Sequence, residues 1–188
     1  MITSRKTYQM KKMAKIAIPL SLGILGLFIF NSCSVGMPDG ATAVKNFDSK
    51  KYLGKWYEIA RFDFKFEKNL NKVTAEYSKK ANGNIEVKNR GFNYVKNEWK
   101  EAIGEAKFVN QPSEARLKVS FFKPFWSGYN VIDLDENYQY ALIAGDNLDY
   151  LWILSREKTI PESYKQRFLE KAKSLGYQTE NLIWVKQD

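Results

Sequence analysis

The sequence has no histidine and a single cysteine, Cys33, in 188 residues. Without imidazole there is no Ser-His-Asp or Cys-His nucleophile pair, no His-ligated metal and no His-bound haem. Enzyme readings therefore start at a disadvantage, and no cofactor is expected. A lone cysteine permits no intramolecular disulfide, so stability must come from the core. Acidic residues are absent before Cys33, whereas Arg5, Lys6, Lys11, Lys12 and Lys15 all lie there. Those five account for much of the formal charge of +9, and the chain without them carries 25 basic against 21 acidic residues. That remainder is modest and dispersed, which argues against nucleic acid as a partner. What the chain does have is 44% hydrophobic and 15% aromatic content, the composition of one folded domain with an appended segment.

The basic first residues are followed by an apolar run, Ile16 to Phe30, broken only by Pro19, Ser21 and glycines. This order of basic and apolar regions is that of a secretory signal. As a membrane anchor the run would be short against the ~20 residues that span a bilayer. Ser32-Cys33 at its end resembles the lipobox of bacterial lipoproteins, in which the cysteine is lipidated and becomes the new amino terminus. Phe30 departs from that pattern, where an aliphatic residue is commoner. Residues 1–32 are thus read as a signal peptide and 33–45 as a lipidated N-terminus and tether, rich in turn residues such as Gly36, Pro38 and Gly40. Residues 46–188 form the domain. Several acyl chains on Cys33 would hold the protein stably on a membrane. Ser34 after the cysteine resembles the pattern sent to the outer membrane of Gram-negative bacteria.

Within the domain, eight short segments read as strands: Trp56 to Phe62, Val73 to Ser78, Ile85 to Lys88, Glu98 to Val109, Arg116 to Phe122, Tyr129 to Leu134, Tyr138 to Ala144 and Tyr150 to Ser155. The second alternates Val73, Ala75, Tyr77 against Thr74, Glu76, Ser78, the period of a half-buried strand. Asn82-Gly83 marks a hairpin turn. Short, evenly spaced strands with turns between them predict a sandwich or a barrel. The last strands are apolar on both faces and need an outer cover. Thr159 to Leu175 supplies one: a Thr-x-x-Glu capping box at Thr159 and Glu162, Gly176 at its end, and a stripe of Tyr164, Phe168, Leu169, Ala172 and Leu175. Asn181 to Val185 reads as a short closing strand.

Gly54-Lys55-Trp56-Tyr57 opening the first strand, paired with Arg156 after the last, resembles the two signatures of the lipocalins. Asn46-Phe47-Asp48, Lys72 to Ser78, Leu117 to Phe122, Gly128 to Ile132, Tyr150 to Arg156 and Ile183-Trp184-Val185 extend the likeness to the bacterial outer-membrane lipoprotein lipocalins. Tyr138-Gln139-Tyr140 departs from a Thr-Asp-Tyr motif that many lipocalins carry. The resemblance implies an all-β, eight-stranded up-and-down antiparallel barrel with one C-terminal helix packed outside. It also implies that Gly54, Trp56 and Arg156 close one barrel end structurally, the guanidinium lying over the indole. Fatty acids and lysophospholipids are the ligands such proteins are associated with.

The cavity candidates are Trp152, Val119, Tyr140, Phe121, Tyr77, Val87 and Ala106, any of which could equally be ordinary core. Ala102, Gly104, Ala106 and Phe108 share a strand face whose small side chains leave room inside. Glu58 shares parity with Trp56 and either points inward or is turned out by a bulge. Three functions follow from these readings. The first is a carrier of single-chain lipid in the barrel. The second is a lipocalin-fold enzyme working through Glu58 or Tyr140. The third is a non-binding envelope scaffold whose Phe121–Trp126 aromatics form a homodimer contact. Those aromatics could also meet a membrane interface or simply pack on neighbouring strands.

Overall fold

The computed structural model describes residues 35–188; the signal-peptide reading and the lipidation reading at Cys33 lie outside the described residues. After a one-turn helix α1 (Ser49–Tyr52), the chain forms β1 (Gly54–Arg61), β2 (Leu70–Lys79), β3 (Ile85–Asn93), β4 (Glu98–Phe108), β5 (Arg116–Ser120), β6 (Ser127–Leu134), β7 (Tyr140–Ala144) and β8 (Leu151–Ser155). Each strand pairs antiparallel with the next, and β8 returns to β1, which also pairs with β2. The sheet closes on itself, although Glu98–Gly104 of β4 extends beyond its pairing with β5. Helix α2 (Glu162–Ser174), a 3-10 turn at Thr179–Asn181 and β9 (Ile183–Trp184) follow.

Two bulges shape one end. Between Glu58 and Ala60 the β1–β8 register shifts, so Ile59 is an extra residue on β1. Between Asn71 and Thr74 the β2–β3 register shifts, with Lys72 at φ 52°. Beyond Tyr57–Thr74 the strands β1 and β2 part, and β9 pairs with β1 in the place β2 leaves. The tail behind β9 fills the gap: Gln187 Nε2 donates to Glu58 O at 2.7 Å on β1 and to Val73 O at 2.9 Å on β2. Val185 is buried with Leu70 and Val73.

Two hydrophobic layers result from the period-2 alternation of the strands. The inner one holds Trp56, Tyr77, Val87, Ala106, Leu117, Val131, Ile143 and Leu154. The outer one places Ile132, Leu142, Ile153 and Leu151 against Phe168 and Ala172 of α2. This is why β6 to β8 are apolar on both faces: one face lines the barrel and the other lies under the helix. Burying Phe168 fully is worth roughly 1.5–3 kcal/mol. The helix begins later than its sequence signals suggest. Its N-cap is Pro161, which makes no side-chain capping bond, so the Thr159–Glu162 box is not formed. Thr159 O instead accepts from Ser155 Oγ at 2.8 Å.

Residues 35–44 are not a free tether. Val35, Ala41 and Ala43 are buried, and Val44 donates its N–H to Val131 O while its carbonyl accepts from Ala115 N. Apolar residues spaced through this segment let it lie along the barrel wall instead of in water.

Candidate functional site

The antiparallel meander assigns each connection to an end. β1 starts at Gly54, so the β2–β3, β4–β5 and β6–β7 connections share the Trp56 end, and those after β1, β3, β5 and β7 share the other. The Trp56 end is closed. The Arg156 guanidinium carbon sits 3.9 Å from the Trp56 ring centroid. Arg156 donates to the carbonyls of Tyr138, Lys55, Lys51, Tyr52 and Leu53 at 2.8 to 3.2 Å. Trp56, fully buried, donates from Nε1 to Tyr52 O at 2.8 Å. Gly54 is at φ +93°, and a side chain there would meet Arg156 Nη1 at 3.5 Å. Removing the guanidinium from water lowers the Arg156 pKa, an effect opposed by neighbouring phenols.

Above this floor stands a ladder of phenols. The Tyr129 hydroxyl lies 2.7 Å from that of Tyr52 and 2.8 Å from that of Tyr77. Burial pushes the pKa values of Tyr52 and Tyr129 well above the usual phenol range, so the three remain neutral and share donors. The wall above them is apolar. Tyr77, Val87 and Ala106 are buried on the inner face, and Val119, Phe121 and Trp152 pack against them from the same face. Gly104 has a specific task there: a Cβ would come within 2.8 Å of the Phe121 ring. Val119, Phe121, Tyr129 and Trp152 point inward yet are only half-buried, so they border accessible space.

Near the mouth the interior changes character. The bulge at Ile59 keeps Glu58 inward and brings Arg61 to the same side, where Arg61 Nη1 donates to Glu58 Oε1 at 2.8 Å. Arg61 Nη2 donates to Glu67 O at 2.7 Å and Leu70 O at 3.2 Å. Trp152 Nε1 donates to Glu67 Oε2 at 3.1 Å, and that oxygen lies 3.7 Å from Arg61 Nε. Burial raises the Glu58 pKa well above the carboxylate range, and the Glu67 charge adds to it against the pull of Arg61. Glu67 is raised by burial too, though Trp152 and Arg61 oppose this. Two carboxyls held around one guanidinium in a desolvated site cannot both ionise cheaply. Arg61, 1% exposed, is committed to the protein and does not offer its charge to a ligand.

Six of the seven cavity candidates therefore lie on the inner face. Tyr140 does not. Its ring packs 4.5 Å from that of Tyr164 on α2, in the outer layer. β7 begins at Tyr140, beside Ala141 and Ile143 of the inner layer, and strand parity puts it outside with Leu142. Sequence reasoning missed Arg61, Glu67, Tyr52 and Tyr129. Only the bulge makes Arg61 inward, and strict alternation from Trp56 gives no hint of it. Tyr129 carries the ordinary signal of an aromatic residue on the inward parity of β6, whereas Tyr52 ends α1 and has no strand parity to read.

Two hollows among the described residues are on the outside. One, of about 370 Å³, lies between Leu134–Asn137 and Tyr164 and Arg167 of α2. The other lies on the outer faces of β1 to β4, among Lys55, Thr74, Glu76, Lys88, Arg90 and Glu101. Both are polar and unsuited to an acyl chain. What marks the interior is accessible inward-facing side chains.

A family model of the Lipocalin-like domain matches residues 47–187. The chain is 50% identical over 171 residues to the "Outer membrane lipoprotein Blc" of Citrobacter freundii, a match covering 90% of this chain and 97% of that protein. A protein of the same name in Vibrio cholerae is 48% identical, with 87% and 96% covered. Among solved structures, insecticyanin of the tobacco hornworm superposes with a TM-score of 0.65 at 17% identity, covering 81% of this chain and 87% of that one, which speaks for the fold alone. With a closed eight-stranded barrel, its Trp56–Arg156 floor and these matches together, the chain belongs to the lipocalin family.

Proposed function

We propose that this lipocalin is held on the periplasmic face of a Gram-negative outer membrane by acyl chains on Cys33. Residues 1–32 are the signal peptide, removed once the Cys33 sulfur carries its diacylglycerol, after which the new amino terminus is acylated. In the barrel it holds one single-chain lipid, a lysophospholipid or fatty acid, for storage or transport in envelope maintenance. The names of its relatives support the membrane and the lipoprotein. One observation carries the ligand: the half-buried inward faces of Val119, Phe121, Tyr129 and Trp152, an apolar and aromatic wall with a few hydroxyl and indole donors. Trp152, Val119, Phe121, Tyr77, Val87 and Ala106 are the proposed contacts.

Binding, not catalysis, is the reading this interior favours. Glu58 is inward, but it is locked to Arg61, and Tyr140 is outside the barrel. Both carboxyls around Arg61 are engaged, Glu58 by Arg61 and Glu67 by Trp152, and they add polarity at the mouth.

Acyl burial yields ~0.8 kcal/mol per CH₂ before the cost of association. Titrating delipidated protein with saturated fatty acids of decreasing length, followed by tryptophan fluorescence, should weaken binding roughly tenfold for each two carbons removed. Affinity independent of chain length would contradict a buried chain. Trp152→Phe should remove most of the fluorescence change.

A further inference from the structure

We infer that the open mouth of the barrel faces the membrane and that its rim side chains insert into the phospholipid interface. This rests on the proposed lipidation of Cys33. The first observation is the rim itself. The mouth is built from the connections after β1, β3, β5 and β7, and these carry Phe66, Tyr94, Val95, Phe122, Phe125 and Leu148, exposed by 41 to 77%. The connections at the closed end, residues 80–84, 109–115 and 135–139, carry none of the exposed large hydrophobics. A soluble protein scatters such residues singly; here six of the ten exposed large hydrophobics among the described residues sit on the mouth connections, and the other four, Trp99, Ile103, Ile183 and Trp184, lie on β4 and β9. Lys65, Lys68, Lys96 and Lys123 are exposed on the same connections, against exposed Asp63 and Asp149. The remaining acids there are engaged within the protein, Glu67 with Arg61 and Asp146 with backbone N–H groups. Aromatic rings with flanking lysines match an anionic lipid interface, where rings sit at headgroup level and each lysine adds attraction.

The second observation is where the N-terminal segment leaves the barrel. Gly36 donates its N–H to Asp146 Oδ1 at 2.8 Å, and its carbonyl accepts from Asn130 Nδ2 at 3.1 Å. Val35 O accepts from Arg116 Nη2 at 3.1 Å. Gly128 donates to the same Asp146 oxygen at 2.9 Å, and a Cβ on it would lie 2.6 Å from Gly36 O, so the segment is seated closely. Asp146 belongs to the β7–β8 connection, at the mouth. Three residues separate Gly36 from Cys33, a reach of at most ~10 Å. From Asp146 back to the start of β7 at the closed end is six residues of extended chain, roughly 20 Å. Cys33 therefore stays within ~10 Å of Gly36 on the mouth side, where an acyl group on it can lie beside the mouth. Anchor and rim point the same way, and a lipid leaving the bilayer would enter the barrel without crossing water.

The test is hydrogen exchange on the full lipidated chain in vesicles of phosphatidylethanolamine with a minority of phosphatidylglycerol, compared with vesicle-free Cys33→Ser protein. The mouth connections at 62–69, 94–97 and 121–126 should exchange at least about fivefold more slowly on vesicles, with residues 80–84 and 109–115 unchanged. Phe122→Ser/Phe125→Ser should stay on the vesicles but lose the protection at 121–126, while its strands exchange as in wild type. Protein that floats with vesicles yet shows an unprotected rim, or a protected closed end, overturns the orientation and leaves the anchor standing. Protein that fails to float overturns the anchor. Protection that appears without vesicles and grows with protein concentration assigns the rim to a second copy of the chain and overturns the inference.

Discussion

Replacing Arg156 by Ala isolates what closes the barrel. The guanidinium binds five carbonyls. The bonds to Lys51 and Lys55 lie where water can replace them, so their loss is cheap. Those to Tyr138, Tyr52 and Leu53 are partly buried, and at ~1 kcal/mol each they contribute about 3 kcal/mol. The partly desolvated cation over Trp56 adds about 1–2 kcal/mol. The expected loss is thus about 4–5 kcal/mol, which for a domain of this size lowers Tm by roughly 10–20 °C. Calorimetry or thermal circular dichroism reads it directly. A double-mutant cycle with Trp56→Phe should return a coupling of about 1 kcal/mol. Arg156→Lys should recover less than half, because one ammonium cannot span carbonyls on both sides of the indole. A loss below about 1 kcal/mol for Arg156→Ala, or no coupling to Trp56, would refute a structural seal.

The raised Glu58 and Glu67 pKa values predict a pH dependence of stability. A carboxyl whose folded pKa lies above its unfolded one stabilises fully below the unfolded value, and that contribution is lost as pH rises through the folded value. Glu58→Gln should therefore gain on wild type in urea unfolding as pH climbs above the usual carboxylate range; a difference that shrinks with pH would contradict carboxyls penalised by burial. Gly128→Ala should push out the segment at Gly36 at a cost of about 1–3 kcal/mol. Limited proteolysis should then cut within residues 35–44 well before the barrel, and resistance equal to wild type would mean that the seat is loose.

Much of the barrel is legible in the chain, because alternation, turn residues and the Trp56–Arg156 pair all carry local signals. The eight strands of the reading match β1 to β8 within a few residues, and the helix with its Phe168 stripe lies where the doubly apolar strands require a cover. What is not legible is what bulges and tertiary contacts decide. Parity counted from Trp56 gives Glu58 but not Arg61, since the extra residue Ile59 exists only in the pairing with β8. Tyr140 shows the converse: in a strand apolar on both faces, composition does not say which face meets α2. The 35–44 segment looks like a linker because Gly36, Pro38 and Gly40 dominate its pattern. Its packing depends on Asp146 and Asn130, about a hundred residues away.

The central claim, that the interior holds one acyl chain, is tested most directly by native mass spectrometry of the barrel mixed with lysophosphatidylethanolamine, wild type against Val119→Trp. Val119 lies opposite Ala106 on the inner wall, so an indole there fills the space proposed for the chain while leaving the rim and the floor intact. Wild type should carry one lipid per chain, and a folded Val119→Trp protein should carry none. Equal lipid on both, or none on wild type, would contradict the account.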